Sequence, residues 1–207
     1  MKKIVITTSI LLFGIIYSNA YPYKTQIFDN NIRTLQVLPD GIQTRTPVIE
    51  LQSEQYISIS FDELSYISSN FHYKIVHCNS NWEPSALSSM EYLEGFDGNL
   101  ITNYDYSINT TVNYIHYQFS LPNEDVQLKV SGNYVVLIAK DNDFENQLVA
   151  SACFSVVEPI SIINTTITGN TTREISGKYQ QLNIEIITDE IKSVNPMYDF
   201  TLIVKQN

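Results

Sequence analysis

Short runs of alternating apolar and polar residues, each closed by turn chemistry, constrain this chain more than any other feature. Tyr56, Ser58 and Ser60 point one way and Ile57, Ile59 and Phe61 the other, the period-two pattern of a strand with one buried face. Residues 32–38 form a similar run that stops at Pro39-Asp40-Gly41, where proline removes a backbone donor and glycine admits a left-handed turn. Residues 48–51, 71–77, 114–121, 132–139 and 152–157 continue the series. No segment of useful length carries a helical period. Only residues 84–90, with Pro84 at an early helical position, admit a turn or two. Seven or so short strands over roughly 130 residues predict an all-β fold, an immunoglobulin-like antiparallel β-sandwich spanning residues 24–158.

Glu158-Pro159 marks a boundary. Beyond it, residues 160–168, 181–188 and 199–204 read as strands that begin a second β domain, 159–207. Three strands in about 50 residues bury too little surface to stand alone, so this domain is expected to be incomplete and the chain a piece of a longer one. At the other end, residues 1–20 have the form of a secretory signal peptide. Lys2 and Lys3 form the basic region, residues 4–17 the apolar region, and Ser18-Asn19-Ala20 the small-residue cleavage site. The apolar run is too short for a stable transmembrane helix. No cysteine follows the cleavage point, which argues against a lipid anchor.

Charge narrows the partners. The 207 residues carry 12 basic and 22 acidic side chains, and loss of Lys2 and Lys3 with the signal leaves a formal charge of −12. Such a surface repels phosphate backbones and anionic headgroups, so nucleic acid and acidic membranes are poor partners. An exported compartment also permits a disulfide. Cys78 and Cys153 lie 75 positions apart, and their pairing is left open by the sequence because it does not set the distance between them.

The run His77-Cys78-Asn79 invites a reading as a thiol nucleophile beside its base. Adjacent residues on a strand point to opposite faces, so His77 and Cys78 cannot hydrogen-bond as a catalytic pair. His72 and His77 likewise fall on opposite faces, His116 is on another strand, and the three lack metal-ligand spacing. Asp141-Asn142-Asp143 lacks the glycine and distant glutamate of a calcium loop and reads as a turn. The expectation is therefore no catalytic residue, no metal and no cofactor, with Cys78 packed as a small hydrophobe and His77 bonded to a loop backbone.

More informative is the connection between strands from Asn79 to Asn113, far longer than an ordinary loop and rich in aromatics. It begins with Trp82, the chain's single tryptophan, and passes through Tyr92 and Phe96. Trp82, Tyr92 and Phe96 are the expected partner-binding residues, or else they pin the excursion down as a satellite core. An exposed aromatic platform on a sandwich would alternatively serve a secreted carbohydrate-binding or adhesin module, whose partner is a glycan.

The ordered set Ile32-Arg33-Thr34-Leu35, Pro47-Val48-Ile49-Glu50-Leu51, His77-Cys78-Asn79, Trp82, Pro84-Ser85, Glu91-Tyr92-Leu93-Glu94-Gly95-Phe96, Leu121-Pro122-Asn123 and Ser131-Gly132-Asn133-Tyr134 resembles the plug protein family of the type IX secretion system of Bacteroidota. The likeness covers nearly all of residues 30–158. It implies a non-enzymatic periplasmic protein at the inner face of the outer membrane. Such a protein would bind the giant β-barrel translocon and close its pore when idle. Family chains are about twice as long as this one.

Overall fold

The computed structural model describes residues 23–96, 98–169 and 180–187, with isolated positions at 195, 198, 202 and 204. The expected signal peptide, residues 1–20, lies outside the described residues. So does most of the strand expected over 199–204.

In chain order the strands are β1 Gln26–Ile27, β2 Ile32–Pro39, β3 Val48–Glu50, β4 Ile57–Glu63 and β5 Phe71–Cys78. A single-turn helix, α1 Ser89–Tyr92, leads into β6 Leu93–Gly95, β7 Asn99–Leu100 and β8 Tyr104–Tyr106. There follow β9 Ile115–Leu121, β10 Val126–Leu128, β11 Gly132–Lys140 and β12 Leu148–Val157, then β13 Ile162–Thr168 and β14 Gln181–Ile187. The long expected strands are present, and β12 starts four residues earlier than its alternation announced.

Two sheets form the sandwich. In one, the order is β1-β12-β11-β5-β7, with β3 joining β12 in parallel beyond β1. The other runs β2-β4-β9-β8, all antiparallel. Register shows which side chains meet. Phe71, Tyr73, Ile75 and His77 of β5 stand opposite Lys140, Ile138, Val136 and Tyr134 of β11. Ile57, Ile59, Phe61 and Glu63 of β4 stand opposite Leu121, Phe119, Tyr117 and Ile115 of β9. Nearly all of these point inward, so the alternation of each strand becomes one layer of the core. At the centre, Phe61 stacks on Tyr117 at 5.2 Å and meets the edge of Phe71 at 5.1 Å.

One charge sits inside this core. Glu63 is 2 % exposed, yet both of its oxygens are satisfied. The Ser69 hydroxyl donates to Oε1 at 2.6 Å and the Tyr117 hydroxyl to Oε2 at 3.1 Å. Lys140 Nζ, which crosses from the end of β11, lies 3.2 Å from Oε1 and 3.5 Å from Asp29. A carboxylate this deep is tolerated only with such partners. The network ties the two sheets together at one end of the sandwich.

Among the described residues, strands β13 and β14 pair only with each other. The alternation places Ile163, Ile167, Leu182, Ile184 and Ile186 on one face of this hairpin, and Ile163 and Ile167 are well exposed.

Candidate functional site

The excursion from His77 to Phe96 is held by a small set of contacts, from His77, Cys78, Trp82, Ser85, Glu91 and Tyr92. Its first turn is tight. Asn79 N–H donates to the Glu83 carbonyl at 2.8 Å and Trp82 N–H to the Asn79 carbonyl at 3.0 Å. Trp82 itself has φ of +66°, a left-handed conformation that costs a bulky residue roughly 1–2 kcal/mol. Its carbonyl accepts from Tyr23 N–H at 2.9 Å, tying the N-terminal segment to the turn.

The position of the Trp82 ring explains that strain. Cys78, Val135 and Cys153 form a small apolar cluster on the outer face of the first sheet, covered by Trp82, Tyr23, Val76 and Leu137. Both cysteines are free, so the disulfide left open by the sequence is not present. The reason is topological: β11 runs between β5 and β12, and strands two apart are separated by about 10 Å, beyond disulfide reach. Burial pushes the Cys78 thiol up to about 12 and the Cys153 thiol to about 11, so neither is a nucleophile at neutral pH.

His77 points the opposite way, into the sandwich, as strand alternation requires. Nδ1 is 2.8 Å from Ser85 Oγ and Nε2 is 3.2 Å from the Ser131 carbonyl. The ring packs between Tyr92 at 5.6 Å and Tyr134 at 5.0 Å. Gly132, at φ of +145°, makes room for it: a Cβ there would collide with His77 Nε2. Ser85 Oγ also accepts the Leu87 N–H at 3.3 Å, so the serine–histidine contact closes a turn.

From Ser85 the chain reaches α1. The Glu91 carboxylate accepts from both the N–H and the hydroxyl of Ser88, at 2.7 and 2.8 Å. The backbone bond above all holds the Glu91 carboxyl below its ordinary range. The spacing Ser88-x-x-Glu91 is a capping-box signal, and it marks a helix start that hydrophobic periodicity missed.

Tyr92 is 6 % exposed and donates to the Ile75 carbonyl at 3.2 Å. It anchors the excursion in the core. Leu93 continues into the core, and β6 pairs with β10. Gly95 has φ of +119°, and a Cβ there would collide with the Asp125 carbonyl. Gly95→Ala is therefore expected to cost at least about 2 kcal/mol in urea unfolding. A loss below 0.5 kcal/mol would show that the ribbon shifts freely.

Of the three aromatics singled out by sequence, only Phe96 stands at the surface, at 82 % exposure. Met90 is similarly exposed, and with Ser89, Leu93, Gly95 and Phe96 it lines a shallow groove. The three aromatics share no single platform: Trp82 covers the thiols, Tyr92 is core, and Phe96 faces solvent. Nothing in this arrangement assembles an exposed aromatic face for a sugar. Among the described residues no group of His, Cys, Asp and Glu is placed to hold a metal. No described helix is long and apolar enough to cross a membrane.

Comparison with known proteins bears on the same region. The family profile described as the type 9 secretion system plug protein, first domain, matches residues 32–158. A solved structure of a hypothetical protein from Parabacteroides merdae is similar, with 38 % identity and a TM-score of 0.79. The match covers 86 % of this chain and 44 % of that one, so this chain spans less than half of that protein's length. A Niemann-Pick type C2 protein from the Japanese carpenter ant matches at 12 % identity over 63 % of this chain and 97 % of its own, with a TM-score of 0.32, too low to carry an argument. No curated protein matches.

Proposed function

The chain belongs to the type 9 secretion system plug protein family, and from that premise we propose that it is a periplasmic plug, binding the outer-membrane translocon barrel and closing its pore when no substrate passes. Membership in a family of non-catalytic secretion components supports an envelope-associated role in type IX secretion. The observation that carries the finer reading is the fit of the family profile to the sandwich from β2 to β12, with the most specific motifs of the chain spent on structure. His77, Cys78, Trp82, Tyr92 and Gly95 are each committed to packing, a turn or a close approach. Their product is a stiff body with a braced edge, which is what blocking a pore requires.

Within this reading, residues 24–158 are the first domain and 159–207 the start of a second, whose strands β13 and β14 leave an apolar face to be covered. Residues 1–20 direct export. Of the three aromatics of the excursion, Phe96 is the most exposed. The acidic side chains of Asp105, Glu124 and Asp125 sit on loops or edge strands nearby in sequence, where they would steer the approach to basic groups at the pore rim. Asp97, which belongs to the same expectation, lies outside the described residues.

The test is electrical. Purified translocon barrel in a planar bilayer is expected to conduct in the absence of this protein and to close when it is added from the periplasmic side. Unchanged conductance, together with no binding at micromolar concentration, would sink the plug reading.

A further inference from the structure

The most exposed apolar side chains of the sandwich are not confined to residues 77–96. Tyr66 and Ile67 are 80 % and 78 % exposed, and Ile108 is 82 % exposed. They occupy two loops, residues 64–70 after β4 and residues 107–114 between β8 and β9. Both β4 and β8 flank β9 in the second sheet, so the loops spring from strands about 10 Å apart. They lie at the same end of the sandwich, opposite the end where β12 runs out at Val157 and the chain leaves for β13.

Both loops are stiff. Ser65 Oγ accepts the Ile67 N–H at 3.1 Å and donates to the Ile67 carbonyl at 2.7 Å, which fixes Tyr66 and Ile67 at the apex of a turn. Ser107 N–H donates to the Tyr114 carbonyl and Tyr114 N–H to Ser107 Oγ, each at 2.9 Å. Asn109 adopts φ of +57°, and Thr110 Oγ1 donates to the Val112 carbonyl at 2.8 Å. Apolar side chains held out by preformed turns lose little freedom on binding.

Composition makes the feature specific. In a chain of formal charge −10, residues 64–70 and 107–114 carry no charge at all. Beside them, the β11–β12 loop carries Asp141, Asp143 and Glu145, and its Asp141 N–H donates to the Asn70 carbonyl at 2.8 Å. An uncharged apolar patch bordered on one side by acids fits a protein surface with an apolar recess and a basic rim. Anionic headgroups would be repelled by the same acids.

We propose that this distal end of the sandwich, led by Tyr66, Ile67 and Ile108, is the surface that seats on the translocon barrel, with the acidic loop 141–147 against basic residues at the edge of the seat. The inference rests on the plug reading and adds where the contact lies. It puts the docking end as far as the sandwich allows from the following strands.

The experiment uses the whole chain and purified barrel. The triple variant Tyr66→Ser, Ile67→Ser, Ile108→Ser is expected to keep its circular dichroism and melting temperature and to bind at least about tenfold more weakly. Asp141→Asn with Glu145→Gln is expected to slow association and to flatten its dependence on salt. Wild-type affinity in the triple variant overturns the distal seat and leaves the plug reading standing, and weakening by Met90→Ser with Phe96→Ser instead would move the seat to the excursion. Failure of the wild-type chain to bind the barrel overturns both. Binding of the wild type to zwitterionic vesicles that the triple variant loses, with barrel binding unchanged, would show a lipid contact and overturn the proposal.

Discussion

Glu63→Ala is expected to cost about 3–5 kcal/mol of folding stability, among the largest effects of any single side chain in this protein. The reason is what remains after truncation. Lys140 keeps the longer contact with Asp29 and its place over the Phe71 ring, the Ser69 hydroxyl loses its carboxylate acceptor, and the Tyr117 hydroxyl is left with the longer bond to the Ser69 carbonyl at 3.3 Å. The cost is mostly desolvation without compensation, since a buried pair contributes far less than is lost when one partner goes. Glu63→Gln separates charge from hydrogen bonding. It keeps one acceptor oxygen and puts a donor NH2 where the other stood, so one of the two hydroxyls must turn to accept, and it is expected to cost about 1–2 kcal/mol. Equilibrium unfolding in urea would measure both. An alanine variant within 1 kcal/mol of the wild type would mean that water replaces the carboxylate.

Phe61→Ala is expected to cost about 3–5 kcal/mol by a different route, with no polar group involved. Its ring is the third member of a cluster with Phe71 and Tyr117, which also touch each other at 4.8 Å. Those neighbours sit on β5 and β9, strands from the two opposing sheets, so neither can move into the void without distorting its ladder. Phe61→Leu refills part of the volume and should recover part of the loss. Thermal unfolding separates these cases. Equal melting temperatures for the alanine and leucine variants would show that the site collapses around any residue.

How far the sequence foretold this molecule depended on who sets each element. β4, β5 and β9 carry their own alternation and β11 a continuous apolar run, and they were legible because each pattern by itself marks a buried strand. β1, β6, β7, β8 and β10 are two or three residues long, and their extended state comes from a partner. Nothing in Tyr104–Tyr106 marks a strand until β9 lies beside it. The site shows the same division. That His77 and Cys78 part to opposite faces follows from strand geometry alone. That Trp82 lies over Cys78 and Cys153 required knowing that β12 comes to rest beside β11. Exposure was the hardest property to foresee: Tyr92 and Phe96 stand four residues apart in one motif, yet one is core and the other faces solvent. The Ser88–Glu91 cap was readable and would have placed α1.

The pairing of β12 has a mechanical consequence. Along its ten residues this strand is bonded to β11 on one side and to β1 and β3 on the other, and it ends where the chain departs for β13. Tension between the distal loops and that departure point runs parallel to the strand, so its hydrogen bonds load in shear, all together, where a strand peeled from an edge would give them up singly. Whatever is attached downstream of Val157 can therefore be pulled hard before the sandwich yields.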